Sequence, residues 1–169
     1  MRIIGIDPGY DRIGIAIIEK KSSREKETLK HSECFTTTKN DGMNEIYDRL
    51  QEVGQRVKTL IEEYSPDALA METLFITKNQ KTAMHVAEAR GIISYEAGLH
   101  KIPIFEYSPP QIKSAVTGDG RSDKSQIIKM MPLLINMTQK KRFDDEYDAI
   151  AVALTCLASE SQFFHKKSL

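Results

Sequence analysis

A layered α/β domain built around a mixed sheet of five strands flanked by helices is the fold this sequence predicts. Three observations lead to it: three strand-like segments in succession at the start, an amphipathic helical segment after them, and a second half in which short apolar strands alternate with helices.

Ile3, Ile4 and Ile6 form a β-branched run that ends on Asp7. The pair Pro8-Gly9 turns the chain, and Ile13, Ile15, Ile17 and Ile18 bring it back as a second strand. After the charged turn KKSSREKET, LKHSECFTT reads as a third strand ending at the polar break KNDG. In NEIYDRLQEVGQRVKTLIEEY the residues Ile46, Leu50, Val53, Val57, Leu60 and Ile61 recur at helical spacing, and Ser65-Pro66 closes the helix. DALAMETLF is a short apolar strand, TAMHVAEARGIISYEAGL a long helix, and IPIFEYSP the fifth strand. The rest is helical, with breaks at TGDGRSD and at the basic run before FDDEYDAIAVALTCLAS.

At 169 residues with 40% apolar content, the chain can bury the core of one domain without staples. Cys34 and Cys156 cannot make a disulfide framework, and no leader-like segment precedes the first strand, so a reducing cytoplasm is expected. The longest apolar stretches, such as AIAVALTCLA, fall short of the roughly 20 residues that cross a bilayer. A net charge of zero argues against nucleic-acid binding by bulk positive potential, but the charges are unevenly placed. From Pro109 to Arg142, seven Lys and Arg stand against two Asp, whereas Phe143 to Glu160 carries five acids and no Lys or Arg. Two solvated faces would give that pattern, and so would a phosphate grip beside a cation site.

Asp7 stands against a tight turn, where Asp-Pro-Gly serves either as turn chemistry or as a placed carboxylate. Glu72 is a second awkward acid, set between apolar residues near the end of its strand, either pointing to water at an edge or facing its neighbour. Successive strands tend to lie together, so Glu72 is expected beside Asp7. Asp145 and Asp148 stand three apart at the start of a helix, on one face and in the favourable field of its dipole. Asp144 or Asp145 is expected to cap that helix, which leaves Asp148 without a capping role. Asp144 and Asp148, four apart, are helical neighbours too.

Clustered carboxylates repel unless a cation joins them, and oxygen donors without a His or Cys cluster select Mg²⁺ or Mn²⁺. The four His are scattered and show no zinc spacing. Asp7, Glu72, Asp145 and Asp148 therefore make a candidate site for two metal ions and for hydrolysis of a phosphodiester.

In order and spacing, GIDPGYDRIGIAII, METLFITKN, AEARGIISYEAG, YSPPQIKSAVTGDGRSDKSQI and DEYDAIAVALT resemble the blocks of the RuvC-type Holliday-junction resolvases of the ribonuclease H-like superfamily. The resemblance runs from about Met1 to about Ser159 and implies a ribonuclease H-like nuclease domain over residues 1–160, with 161–169 as a C-terminal tail, expected to be disordered. It implies that Asp7, Glu72, Asp145 and Asp148, DEYD being the family spacing, hold two Mg²⁺ ions, with Mn²⁺ as a substitute. It also implies a homodimer that cuts four-way DNA junctions symmetrically in recombination and repair, in company with a branch-migration helicase complex of RuvA-RuvB type. Phe75 matches the aromatic that stacks at the junction centre, while Lys78, Lys113, Arg121 and Lys124 match positions that contact DNA. Tyr147 and Cys156 depart from the small residue and the His that the family pattern favours. The small residues of ARGIISYEAG suit a helix that pairs closely with a second copy.

Two other classes are less consistent with these residues. A DNA-binding module without activity would have lost an acid, and all four are present. An actin-like kinase would reuse GIDPG for phosphate but needs a second domain and further glycine-rich loops.

Overall fold

The computed structural model describes residues 1–22, 24–39, 42, 45–74 and 80–160. Its elements follow the order β1 (Arg2–Asp7), β2 (Arg12–Glu19), β3 (Glu27–Thr36), α1 (Glu45–Tyr64), β4 (Ala68–Glu72), α2 (Gln80–Leu99), β5 (Ile104–Tyr107), α3 (Pro109–Thr117), α4 (Lys124–Leu134), β6 (Ile135–Asn136) and α5 (Asp144–Ser159). They make one sheet of order β5-β4-β1-β2-β3-β6. The β1–β2 and β2–β3 pairs are antiparallel, and β4, β5 and β6 join in parallel.

The isoleucines of β1 and β2 explain the layering. Ile4, Ile6, Ile13, Ile15 and Ile17 face one way, against Val53, Val57, Leu60 and Ile61 of α1 and Ile93 and Ala97 of α2. Ile3, Ala16 and Ile18 face the other, with Ala68 and Ala70 of β4, toward α3, α4 and α5. Burial on both faces gives these strands continuous apolar runs instead of alternation with polar residues.

The sheet has six strands where five were expected, because β6 adds two residues beside Glu27 and Thr28. A two-residue strand that follows directly on α4 carries no alternation by which it could be read.

Helix α5 is buried almost all round: Ala149, Ile150, Ala151, Val152, Ala153, Cys156 and Leu157 are each no more than 3% exposed. It lies on β1 and β2 at two glycines. A Cβ on Gly5 would stand 2.3 Å from the Ala149 carbonyl oxygen, and one on Gly14 would stand 1.9 Å from that of Asp145. The bare backbone at these positions lets the N-terminus of α5 come down onto the sheet.

Arg49, buried within α1, ties that helix to the turn after β1. It donates to Thr37 Oγ1 at 2.7 Å, to the Tyr10 carbonyl and to Asp11, and its guanidinium lies 4.0 Å over the Tyr10 ring. Tyr10 stacks in turn on His85 of α2. Arg49→Ala is expected to lower stability by about 2 kcal/mol, since it strips several bonds from a buried cation site whose acid partner is largely exposed. Urea denaturation at pH 7 checks this, and an unchanged midpoint contradicts it.

Candidate active site

Asp7 is the last residue of β1 and Glu72 the last of β4, two parallel neighbours in which Ile6 pairs with Met71. Side chains alternate along a strand, so Asp7 shares a face with Ile3 and Gly5, and Glu72 with Ala68 and Ala70. That is the face covered by α5. Across the same row, Asp7 pairs with Gly14, Gly14 with Cys34, and Glu72 with Tyr107. Gly14 leaves the gap into which the first turn of α5 brings Asp145.

Neither Asp144 nor Asp145 caps α5, contrary to expectation: the N-cap is Phe143. The orphan N–H of Phe143 is accepted by Glu146 Oε1 at 3.1 Å, the back-bonding half of a capping box. The other oxygen of Glu146 accepts from Ser32 Oγ at 2.6 Å, with Arg142 and Lys140 each 3.9 Å away. Glu146 is thus a buried fastener between α5 and β3, and Asp145 and Asp148 are spared for the other face.

The carboxylates act on one another. Burial, then Asp148, Glu72 and Asp145, push Asp7 from 3.8 up to about 7, with Lys124 opposing. Glu72 is raised by burial and by Asp148, against the pull of Arg90, Lys113 and Lys124. Asp148 is raised by burial, against a hydrogen bond from Lys124. Asp7, Glu72, Asp145 and Asp148 are thereby brought into one field from three separate parts of the chain. A cavity of about 300 Å³, lined by Asp7, Pro8, Glu72, Val86 and Arg90 among others, opens beside the two strand ends.

Cations of the protein stand among these acids. Lys124 Nζ lies 2.8 Å from Asp148 and 3.4 Å from Asp144, and Arg12 Nη2 lies 3.5 Å from Asp145. Among the described residues no three His, Cys, Asp or Glu side chains are drawn together tightly enough to form a metal cluster. The donor set nevertheless suits hard divalent ions: all-oxygen, mutually repelling, and only partly neutralised by lysine and arginine. Asp144 is 69% exposed and faces Lys124, whereas Asp145 is 21% exposed and acts on Asp7.

Lys113 and Lys124 therefore lie with the acids. Arg121 is exposed on the turn between α3 and α4, and its side chain has no part in the ion pairs of the acids. Phe75, Lys78 and residues 161–169 lie outside the described residues.

Sequence reasoning missed Arg12, Cys34 and Arg90. Cys34 donates its thiol to Asp145 at 3.5 Å, and burial followed by the charge of Asp145 pushes that thiol up to about 11. Arg90 of α2 donates to the Glu72 carbonyl and, at 2.7 Å, to Glu106 of β5, which steadies the end of β4. The period-two register of β3 could have pointed to Cys34, but nothing local distinguishes Arg12 or Arg90 from surface arginines.

A mixed sheet with three antiparallel strands, parallel strands added beside the first, and carboxylates at the strand ends under a helix is the fold of ribonuclease H-like nucleases. The model of the family "crossover junction endodeoxyribonuclease RuvC" matches residues 3–156. A relative of that name from Thermosipho melanesiensis is 44% identical over 163 residues, 96% of this chain and 100% of that protein. Another from Petrotoga mobilis is 43% identical over 153 residues, 90% and 91% of the two chains. Among solved structures, Thermus thermophilus RuvC in complex with a Holliday junction substrate superposes with a TM-score of 0.85 at 27% identity, covering 97% of this chain and 96% of that one. The yeast mitochondrial Holliday junction resolvase Ydc2, at 14% identity and a TM-score of 0.70 over 99% and 84% of the two chains, shares the fold. The chain belongs to the RuvC crossover junction endodeoxyribonuclease family, whose members are nucleases that depend on divalent metal. No helix among the described residues is long and apolar enough to cross a membrane.

Proposed function

We propose that this chain is a cytoplasmic homodimeric resolvase whose nuclease domain spans residues 1–160, and that it makes paired symmetric cuts in four-way DNA junctions during recombination and repair. Asp7, Glu72, Asp145 and Asp148 hold two Mg²⁺ ions, which Mn²⁺ can replace. The observation that carries this reading is the shared field of the acids, in which Asp7 is raised to about 7 by burial and by three other carboxylates. Asp145 is preferred to Asp144 because it is the less exposed and the one that acts on Asp7.

Held by these four carboxylates, divalent ions would supply Lewis acidity toward a water and a phosphate oxygen. The chain's own residues position and balance. Arg90 fixes the strand end that carries Glu72, and Glu146 fixes the helix start that carries Asp145 and Asp148. Lys113 and Lys124 place positive charge beside Glu72 and Asp148, where a strand's phosphates would run. Phe75, Lys78 and Arg121 remain proposed DNA contacts, Phe75 by stacking and the other two through the backbone.

A two-fold junction cut in pairs calls for two sites related by symmetry. The outer stripe of α2 supports pairing there. Met84, Tyr95 and Leu99 are 58%, 61% and 59% exposed, and Gly91 and Gly98 have open space where a side chain would be. Docking to a branch-migration helicase complex of RuvA-RuvB type is part of the same proposal.

Incubation of end-labelled four-way junction and linear duplex with Mg²⁺, Mn²⁺ or chelator tests the reading. The expected result is metal-dependent nicks at symmetric positions in the junction alone, leaving 5′-phosphate and 3′-hydroxyl ends. Duplex cut as readily as junction, or cleavage in chelator, overturns it. Junction affinity should fall linearly with salt on a double-logarithmic plot, as counterion release requires. Sedimentation should find a dimer that Tyr95→Glu weakens without unfolding the monomer, and a monomer at micromolar concentration with junction present contradicts the pairing.

A further inference from the structure

Asp145 is held in this structure by a side chain that the proposed chemistry does not use. Arg12, the first residue of β2, alternates onto the same face as Gly14 and so points at the start of α5. Its guanidinium lies 3.5 Å from Asp145 Oδ2, and its side chain is 53% exposed. Lys124, in the same way, lies between Asp144 and Asp148.

We infer that Arg12 is a phosphate-binding residue for the DNA strand at the acids, resting on Asp145 until a divalent ion takes that carboxylate and then turning to the strand. The inference rests on the nuclease reading above.

Position argues for it. In the sheet order β5-β4-β1-β2, Lys113 and Lys124 act on Glu72 at the end of β4, whereas Arg12 rises from β2 on the far side of Asp7. A strand laid across the acids would therefore meet positive charge on both flanks. Energetics argue for it as well. A half-exposed ion pair at 3.5 Å is worth little, so Asp145 can exchange Arg12 for a metal ion at small cost. A guanidinium released beside a phosphodiester finds an acceptor whose geometry matches its own fork of donors. Arg49 cannot do this, being buried and bonded to Thr37, Tyr10 and Asp11.

Arg12 then competes with metal and cooperates with DNA, so its removal should move the two affinities in opposite directions. Mn²⁺ binding without DNA, measured by calorimetry, should tighten about twofold to fivefold in Arg12→Ala, the size of a lost exposed ion pair. Junction binding in Ca²⁺, over a time in which the junction stays intact, should weaken about threefold to tenfold, and the salt slope should shrink by about one phosphate contact per protomer. Arg12→Lys should keep the salt slope, since a point charge also neutralises a phosphate. Thermal unfolding that matches wild type shows that the variant is folded.

Unchanged or weaker Mn²⁺ binding in Arg12→Ala overturns the inference, as does unchanged junction affinity with an unchanged slope. Should the wild-type protein itself neither bind nor cut the junction, the nuclease reading falls. Wild-type cleavage together with an indifferent Arg12→Ala rejects Arg12 alone.

Discussion

Asp7→Asn is expected to reduce junction cleavage by roughly three orders of magnitude, about 4 kcal/mol of transition-state stabilisation, while junction binding persists. The same substitution should stabilise the protein without metal. In the fold the Asp7 carboxyl is raised from 3.8 to about 7, first by burial and then by Asp148, Glu72 and Asp145. A raised carboxyl means that the folded state binds the proton more tightly than the unfolded chain. Stability is therefore fullest below pH 3.8 and is lost as pH climbs through the interval to about 7. Asparagine cannot ionise, so in chelator at pH 8 Asp7→Asn should exceed wild type by a few kcal/mol, on the order of 2 to 4, and by little at pH 4. Mg²⁺ should narrow the gap by stabilising wild type more than the variant. A variant no more stable than wild type at pH 8 in chelator would show that the acids do not strain one another.

Gly14→Ala is expected to separate fold from function in the opposite sense. Its new methyl would stand 1.9 Å from the Asp145 carbonyl oxygen and 2.5 Å from the carbonyl carbon, both backbone atoms of the first turn of α5. No rotamer change relieves a clash with backbone, so the helix start must lift from β2, straining its fastening by Glu146 to Ser32 and Phe143. Overpacking of this kind costs about 1 to 3 kcal/mol, and loss of the ångström-scale placement of Asp145 and Asp148 should lower cleavage about a hundredfold. Urea melts and single-turnover cleavage read the two effects. Activity within a factor of two of wild type would show that the seating of α5 on Gly14 does not position the acids.

How much of this was legible in the sequence depended on periodicity. The isoleucines of β1 and β2 and the stripe from Val53 to Ile61 repeat often enough to declare their elements, and the breaks at Pro66 and at TGDGRSD mark the helix ends that the structure has. Asp7 and Glu72 do converge, as parallel pairing of β1 with β4, but the neighbour rule for successive strands does not account for it: β4 succeeds β3 in the chain, crosses over through α1 and pairs with the free edge of β1 instead. Other features are long-range, and no window of sequence contains them. Strand β6 exists through its pairing with Glu27 and Thr28. Glu146 looks like one more acid of a solvated helix start until Ser32, 114 positions away, is placed against it. The cap assigned to Asp144 or Asp145 falls instead on Phe143, because the bond that satisfies its N–H comes backward from Glu146. Arg12 and Cys34 meet at Asp145 only when strand register is combined with the seating of α5 on Gly14, which no single segment contains.

Whether Asp7, Glu72, Asp145 and Asp148 gather to hold divalent ions is read directly by anomalous diffraction from crystals soaked in Mn²⁺. Peaks about 2.0 to 2.3 Å from carboxylate oxygens of Asp7, Glu72 and the Asp145 and Asp148 pair, with Arg12 and Lys124 displaced from those oxygens, are the predicted result. Saturating Mn²⁺ that leaves these oxygens without a peak, or that binds only elsewhere on the protein, would contradict it.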